Sequence, residues 1–291
     1  MTAVDLVTVA ADELAQRIDA AQVHVHDGAP LLWNAAVKHR PELIVRALSP
    51  RDVQAAIRVA RDRGMRLSVL GGGHGWAGRA VCDGGLLIDL SGMRRVTVDT
   101  WAQVATVGGG ATAADVMAAA APYGLVAAAG DLGSVGMTGL TLGGGYGPLN
   151  GRFGLALDNM AGAEVVLADG RIVTADATHE PELFWALRGG GGNFGVVTSM
   201  RVRLHPLNQM LGGLIVFPWS QAATLWRGLG ELLSTAPDEL TVQSGLLPGP
   251  DGNPTAYLAP AWSGDLRSGE AAVEALALLG TPLATQVAPM T

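Results

Sequence analysis

Four groups of glycines punctuate the chain, at 71–78, 108–110, 143–147 and 189–195, and each adjoins an apolar run. Backbone without Cβ atoms takes positive φ readily, approaches another backbone or a ligand closely, and presents consecutive N–H groups to an anion. The groups differ in sequence and are separated by well-patterned segments, which sets them apart from low-complexity repeats. The first, VLGGGHGWAG at 69–78, adds a histidine. A phosphate cradle, a metal site and a plain tight turn are its three readings.

The segments between the glycines place the loops. Ser49-Pro50-Arg51-Asp52 reads as an N-cap, a proline at the first helical position and an acidic N3, and Val53, Ala56, Ile57 and Ala60 then recur at helical spacing up to Gly64. Leu67–Leu70 reads as a strand running into the glycines and Leu86–Leu90 as the next, so the histidine loop joins strand to strand. Val96–Asp99 and Val104–Val107 are further strands, Thr112–Ala121 an alanine-rich helix, and 165–173 a hairpin around Asp169-Gly170. Pro181–Leu187 is a short helix opened by proline, and Val196–Leu204 alternates as a half-buried strand before His205-Pro206. Leu211-Gly212-Gly213 reads as a boundary. Beyond it come a strand at 214–217, a helix over 219–235, a strand pair across 240–262 turning at Pro250-Asp251-Gly252-Asn253, and a helix over 267–279, a second α+β unit.

Composition narrows the function classes. The 291 residues, 49% hydrophobic, suffice for one large or two medium domains. A formal charge of -7, a single lysine (Lys38) and no basic run interleaved with aromatics lack the electrostatic footprint of a nucleic-acid binder. Asp5, Asp12 and Glu13 stand where a secretory signal carries positive charge, and no run is long enough to span a bilayer, so a soluble cytoplasmic protein is expected. The lone cysteine, Cys82, rules out an intrachain disulfide and any cysteine-built metal site, and reads as a small buried hydrophobe.

Two readings of the histidine loop fail on pattern. A Rossmann fingerprint needs a glycine turn opening directly into a helix, with an acid about 20 residues later. Residues 75–85 show no helical periodicity, and Gly143–Gly147 leads into Pro148-Leu149-Asn150-Gly151. A zinc site needs paired histidine spacing, which His24, His26, His39, His74, His179 and His205 lack; His24 and His26 read as surface polarity.

VLGGGHGWAG, with CDGGLLIDLSGM at 82–93, VGMTGLTLGGGYGPLNGRFGLALDNM at 135–160, VVLADGRIVTA at 165–175 and PELFWALRGGGGNFGVVTSMRVRLHP at 181–206, resembles the FAD-linked oxidases of the vanillyl-alcohol oxidase/p-cresol methylhydroxylase superfamily, most closely the berberine-bridge-enzyme-like members. The resemblance runs from about residue 33 to 291, and the ordered series of motifs gives it specificity. It implies an α+β chain: a two-part FAD-binding domain of the p-cresol methylhydroxylase type over 1–210, then the first part of an α+β substrate domain with an antiparallel sheet over 211–291, apparently truncated.

The resemblance also assigns residues. Gly71, Gly72, Gly73 and Gly75 would hold the FAD diphosphate, and His74 would be joined to the flavin 8α-methyl, a neutral imidazole being nucleophilic enough to attack that carbon. Ser134, Val135, Gly136, Thr138 and Gly139, with Gly143, Gly144, Gly145 and Tyr146, would line the isoalloxazine and ribityl region, and Gly195 and Val197 the adenine side. Leu132 stands where many relatives carry a second tethering cysteine, so one covalent link is expected. Leu70 replaces an arginine that often opens the loop, removing one charge-assisted phosphate contact. Val135 matches an oxygen-gating position, while Tyr146 and Trp262 are candidate substrate walls.

The reaction implied is hydride transfer from a C–H bond of a small alcohol, sugar or aromatic natural product to the flavin, with dioxygen reduced to hydrogen peroxide. Alternatives are a 2-hydroxy-acid dehydrogenase of the same superfamily, or a FAD-binding protein with little turnover. The usual catalytic base matches no residue here, because Tyr123, Tyr146 and Tyr257 lie outside any matching motif. An unfinished substrate sheet would favour self-association through its open edge.

Overall fold

The computed structural model describes residues 3–25, 28, 30, 32–250 and 252–290. His26 and Asp251, both named above in sequence patterns, lie outside them.

Three sheets organise the chain. The first joins β1 (Val23–Val25), β2 (Leu43–Arg46), β3 (Leu67–Leu70) and β4 (Leu86–Asp89) in the order β1-β2-β4-β3. The last three run parallel and β1 is antiparallel. Leu43, Val45, Leu86, Leu87 and Ile88 are fully buried, as parallel strands covered on both faces require. Helix α1 (Ala3–Ala15), which the sequence reading did not anticipate, buries Val7, Ala10 and Leu14 into this core. Helix α2 (Pro50–Asp62) carries the expected capping box between Ser49 and Asp52 and buries Val53, Ala56, Ile57 and Ala60.

The second sheet comprises β5 (Val96–Asp99), β6 (Val104–Gly108), β7 (Leu125–Ala127), β8 (Met160–Val166), β9 (Ile172–Ala175) and β10 (Val196–Pro206). Its order is β5-β6-β10-β8-β9, with β7 paired to the end of β10. The β8–β9 hairpin turns at Asp169-Gly170, where Gly170 takes φ +82°, as the Asp-Gly signal predicts. Helix α3 (Ala113–Ala120) starts at Thr112, which forms a capping box with Asp115. The short α4 (Met137–Leu142) and α5 (Asn150–Phe153) lie inside stretches that read as glycine loops, and α6 (Pro181–Leu187) has the expected bounds.

The third sheet, wholly antiparallel, joins β11 (Met210–Pro218), β12 (Leu240–Pro248), β13 (Pro254–Trp262) and β14 (Ala284–Met290) in the order β12-β13-β11-β14. Helices α7 (Ala222–Leu233) and α8 (Leu266–Ala277) contribute Leu225, Leu229 and Leu276 to its core, with Ile215, Phe217 and Leu258 from the strands. Leu211-Gly212-Gly213, expected as a boundary, sits inside β11; the change of sheet falls between Pro206 and Met210. The glycine there serves strand packing, since a Cβ on Gly213 would strike the Gln286 carbonyl of β14. Strand β14 carried no sequence signal strong enough to be read.

A cleft of about 1010 Å³ opens where the third sheet meets the second unit, lined by Ala114, Met117, Asp131, Gln243, Tyr257 and Met290 among others. Gln243 of β12 donates to Asp131 across it. The architecture is α+β: the histidine loop joins strands of the first sheet, the glycine groups at 143–147 and 189–195 lie between strands of the second, and the cleft lies against the second sheet.

Candidate functional site

Strands β3 and β4 lie side by side in parallel, so the segment between them must return the full strand length; the histidine loop begins this return. Gly73 takes φ +70°, a left-handed conformation that costs a side-chain-bearing residue energy. Gly72 is needed for proximity: a Cβ there would run into the Gly136 amide, and one on Gly136 into Gly72. Two backbones therefore touch, 71–72 against 135–136. The amides of Gly72, Gly73, His74 and Gly75 donate to no acceptor among the described residues. Consecutive unclaimed N–H groups on a glycine loop are the means by which backbone binds an anion.

The opposing segment is itself pinned. Ala114 N donates to the Gly133 carbonyl (2.9 Å) and Ala113 N to the Val135 carbonyl (2.9 Å), so the start of α3 grips both sides of Ser134. That helix start is braced by Arg94, whose guanidinium bonds both Asp115 carboxylate oxygens (2.8 and 3.0 Å) and pulls the Asp115 carboxyl below its usual range against the opposing effect of burial. Ser134 Oγ consequently meets His74 Nε2 at 2.9 Å, across 60 residues of sequence. His74 Nδ1 has no hydrogen-bond partner among the described residues. Trp33 stacks on the imidazole, with ring centroids 5.9 Å apart and planes 23° apart, and Trp76 leans on Trp33 at 5.2 Å. Trp33 N donates to the Gly73 carbonyl (3.1 Å) and Asn34 Nδ2 to the Trp76 carbonyl (2.9 Å), tying this aromatic pair to the loop.

Other sequence-derived residues fall into four groups. Leu132 is exposed beside Ser134, and Val135 is half-buried. Thr138 is buried, and its Oγ1 is the one buried side-chain polar atom without a partner among the described residues; Gly139 next to it has open space where a Cβ would stand. Gly143, Gly144 and Gly145 follow α4 in a tight turn whose carbonyls at 144 and 145 accept from Leu157 (3.0 Å) and Ala156 (2.8 Å), leaving Tyr146 exposed. A Cβ on Gly195 would strike Val166, and the Val197 side chain is buried in the second core. Val197 is linked to the loop through Gly109, whose Cβ position abuts the Val197 carbonyl and whose own carbonyl faces Gly71.

Of three further side chains, Trp262 lies where sequence alone did not put it. Trp262 is buried rather than facing the cleft, because α8 packs on it and its indole N–H donates to the Asp265 carbonyl (2.7 Å). Leu70 packs in a small core with Ile44, Val81 and Leu87, so its position points inward. Cys82 bonds around Ser68 and Gly84, beside β3 and β4, with no contact to Leu132. Sequence reasoning missed Trp33, Trp76 and the role of Ser134. Only Trp76, two residues beyond His74, offered a signal.

The profile of the FAD binding domain family matches residues 41–176. The (R)-6-hydroxynicotine oxidase of Paenarthrobacter nicotinovorans is 41% identical over 215 residues, 74% of this chain and 46% of that protein. Among solved structures, 6-hydroxy-D-nicotine oxidase from Arthrobacter nicotinovorans matches with a TM-score of 0.86 at 35% identity, covering 92% of this chain and 61% of the other. Glucooligosaccharide oxidase from Acremonium strictum, described with a 6-S-cysteinyl, 8α-N1-histidyl FAD, matches at 0.83 and 28% identity, covering 96% and 61%. The chain spans about half the length of the curated relatives it matches. It belongs to the FAD-linked oxidases of the vanillyl-alcohol oxidase/p-cresol methylhydroxylase superfamily.

The residues present fit FAD. The four unclaimed amides suit a diphosphate, and a buried hydroxyl left unpaired costs about 1–3 kcal/mol, which a polar group of the cofactor at Thr138 would recover. Gly139 leaves the space such a group needs.

Proposed function

We propose that this chain is the FAD-holding part of an oxidase that takes hydride from a C–H bond of a small alcohol, sugar or aromatic compound and passes the electrons to dioxygen. The observation that carries the reading is the histidine loop: four open amides and an imidazole whose Nδ1 is unengaged, held against Ser134. Bound FAD would supply hydride acceptance and reoxidation by dioxygen. The amides of Gly72–Gly75 neutralise the diphosphate, His74 tethers the flavin covalently, and Thr138 pairs a polar group. Leu132 offers no thiol, so the tether is single. Val135, half-buried beside Gly136, keeps the path for dioxygen narrow but open.

The cleft receives the substrate, its mostly apolar walls suiting a ring-shaped molecule with Gln243, Thr241 and Tyr257 as polar contacts. The relatives support this range, one named for a hydroxynicotine and another for glucooligosaccharides. One observation favours a second reading, a FAD holder with little turnover: the titratable side chains lining the cleft are Asp131 and Tyr257, and Asp131 already accepts from Gln243. Anaerobic mixing with a panel of alcohols, oligosaccharides and hydroxylated aromatics separates the two. An oxidase bleaches with at least one class and releases one hydrogen peroxide per turnover in air, with Val135→Leu slowing only reoxidation; a yellow protein that no member of the panel bleaches contradicts it.

A further inference from the structure

We infer that Ser134 is a positioning residue that holds the His74 ring by Nε2, so that Nδ1 is the nitrogen presented to the flavin. The inference rests on the covalent reading above and adds the means by which one ring nitrogen is chosen. A neutral imidazole has one N–H donor and one lone-pair acceptor, and a hydroxyl can meet either, so Ser134 engages Nε2 in both tautomers and fixes which way the ring faces. Here the hydroxyl lies 2.9 Å from Nε2, and Nδ1 is unengaged among the described residues.

The hydroxyl is a fixed reference point because the carbonyls on either side of it, Gly133 and Val135, are both anchored to the start of α3. The ring has little freedom to turn, since Trp33 stacks on its face and is bonded to the adjacent Gly73 carbonyl. Flipping the ring forfeits the Ser134 hydrogen bond, and in the tautomer that leaves Nδ1 unprotonated Nε2–H donates to the hydroxyl. In the tethering step the Nδ1 lone pair forms a C–N bond to the 8α carbon as one C–H bond of that methyl breaks. The proton goes to solvent, and the electron pair passes to the flavin ring system, from which dioxygen takes it as hydrogen peroxide. The charge that gathers on the alkylated imidazole is met by Ser134 at the Nε2–H.

The test follows acid-stable flavin over time by intact mass, after adding FAD to protein purified from riboflavin-starved cells, for wild type, Ser134→Ala, Ser134→Cys, Ser134→Thr and His74→Ala. Loss of one ordinary hydrogen bond slows tethering on the order of tenfold in Ser134→Ala. The variant still binds FAD, which acid then releases. Ser134→Cys, close in size but a weak acceptor, is slowed alike, and Ser134→Thr restores a rate near wild type. A merely structural role would lower FAD binding in step with tethering, and Ser134→Thr would not rescue it. Wild-type rates in both Ser134→Ala and Ser134→Cys overturn the inference while leaving the tether intact. Acid-stable flavin in His74→Ala, or none in wild type, instead overturns the covalent reading on which it rests.

Discussion

Two five-residue stretches of nearly the same sequence, Gly-Gly-Gly-His-Gly at 71–75 and Gly-Gly-Gly-Tyr-Gly at 143–147, do different work. In the first, glycine permits one backbone to lie on another and leaves four amides without internal acceptors. In the second, Gly144 (φ +115°) and Gly145 (φ +73°) close a turn upon itself: their carbonyls accept from Leu157 and Ala156, and Gly147 N donates to Asn150 Oδ1 (2.9 Å). In the second stretch the amides of Gly143, Gly144 and Gly147 are spent within the chain and those of Gly145 and Tyr146 are not, whereas in the first all four from Gly72 to Gly75 are open among the described residues. Near-identical composition therefore distinguishes little; where the hydrogen bonds go does.

Substitutions can break this contrast. The largest effect is expected for Gly72→Ala, because backbone atoms of Gly136 cannot move aside as a side chain can: a loss of about 3 kcal/mol in stability and of flavin binding together, read by thermal melting and the yellow absorbance. Gly145→Ala should cost about 1–3 kcal/mol from its positive φ and its contact with the Ala156 side chain, yet the protein that remains folded should still take up FAD. Equal flavin loss in both variants, at matched stability, would mean that the second stretch also touches the cofactor. Gly139→Ala is the finest probe. Its Cβ meets nothing within the chain and the helical position favours alanine by up to about 1 kcal/mol, so a flavin-free protein that is no less stable but binds FAD several times more weakly places Gly139 against the cofactor.

Local signals in the sequence located what local forces determine. Helix α2 was legible because Ser49 and Asp52 cap it reciprocally, and the β8–β9 hairpin because Asp169-Gly170 supplies the turn. Helix α4 was hidden, its six residues including Gly139 and being flanked by glycines at both ends. Strand β14 was unreadable because it is largely exposed and its pairing with β11 lies some seventy residues back in sequence. At the site, His74 and its glycines stood out, but its partner Ser134 lies in a separate motif and its stacking partner Trp33 lies forty residues earlier. Both contacts are tertiary: the first joins loops of two sheets and the second joins two loops of the first sheet. The burial of Trp262 has the same origin: from sequence an aromatic near a cleft is a wall, and only the position of α8 makes it core.

The central claim is that the loop at 71–75 holds FAD and that His74 anchors it. Acid precipitation followed by intact mass of wild type and His74→Ala addresses it most directly. The account predicts a yellow wild-type pellet heavier by one FAD, and a His74→Ala protein that binds flavin in native buffer but yields a colourless pellet at the mass of the bare chain. A wild-type pellet without flavin, or a His74→Ala pellet that keeps it, contradicts the account.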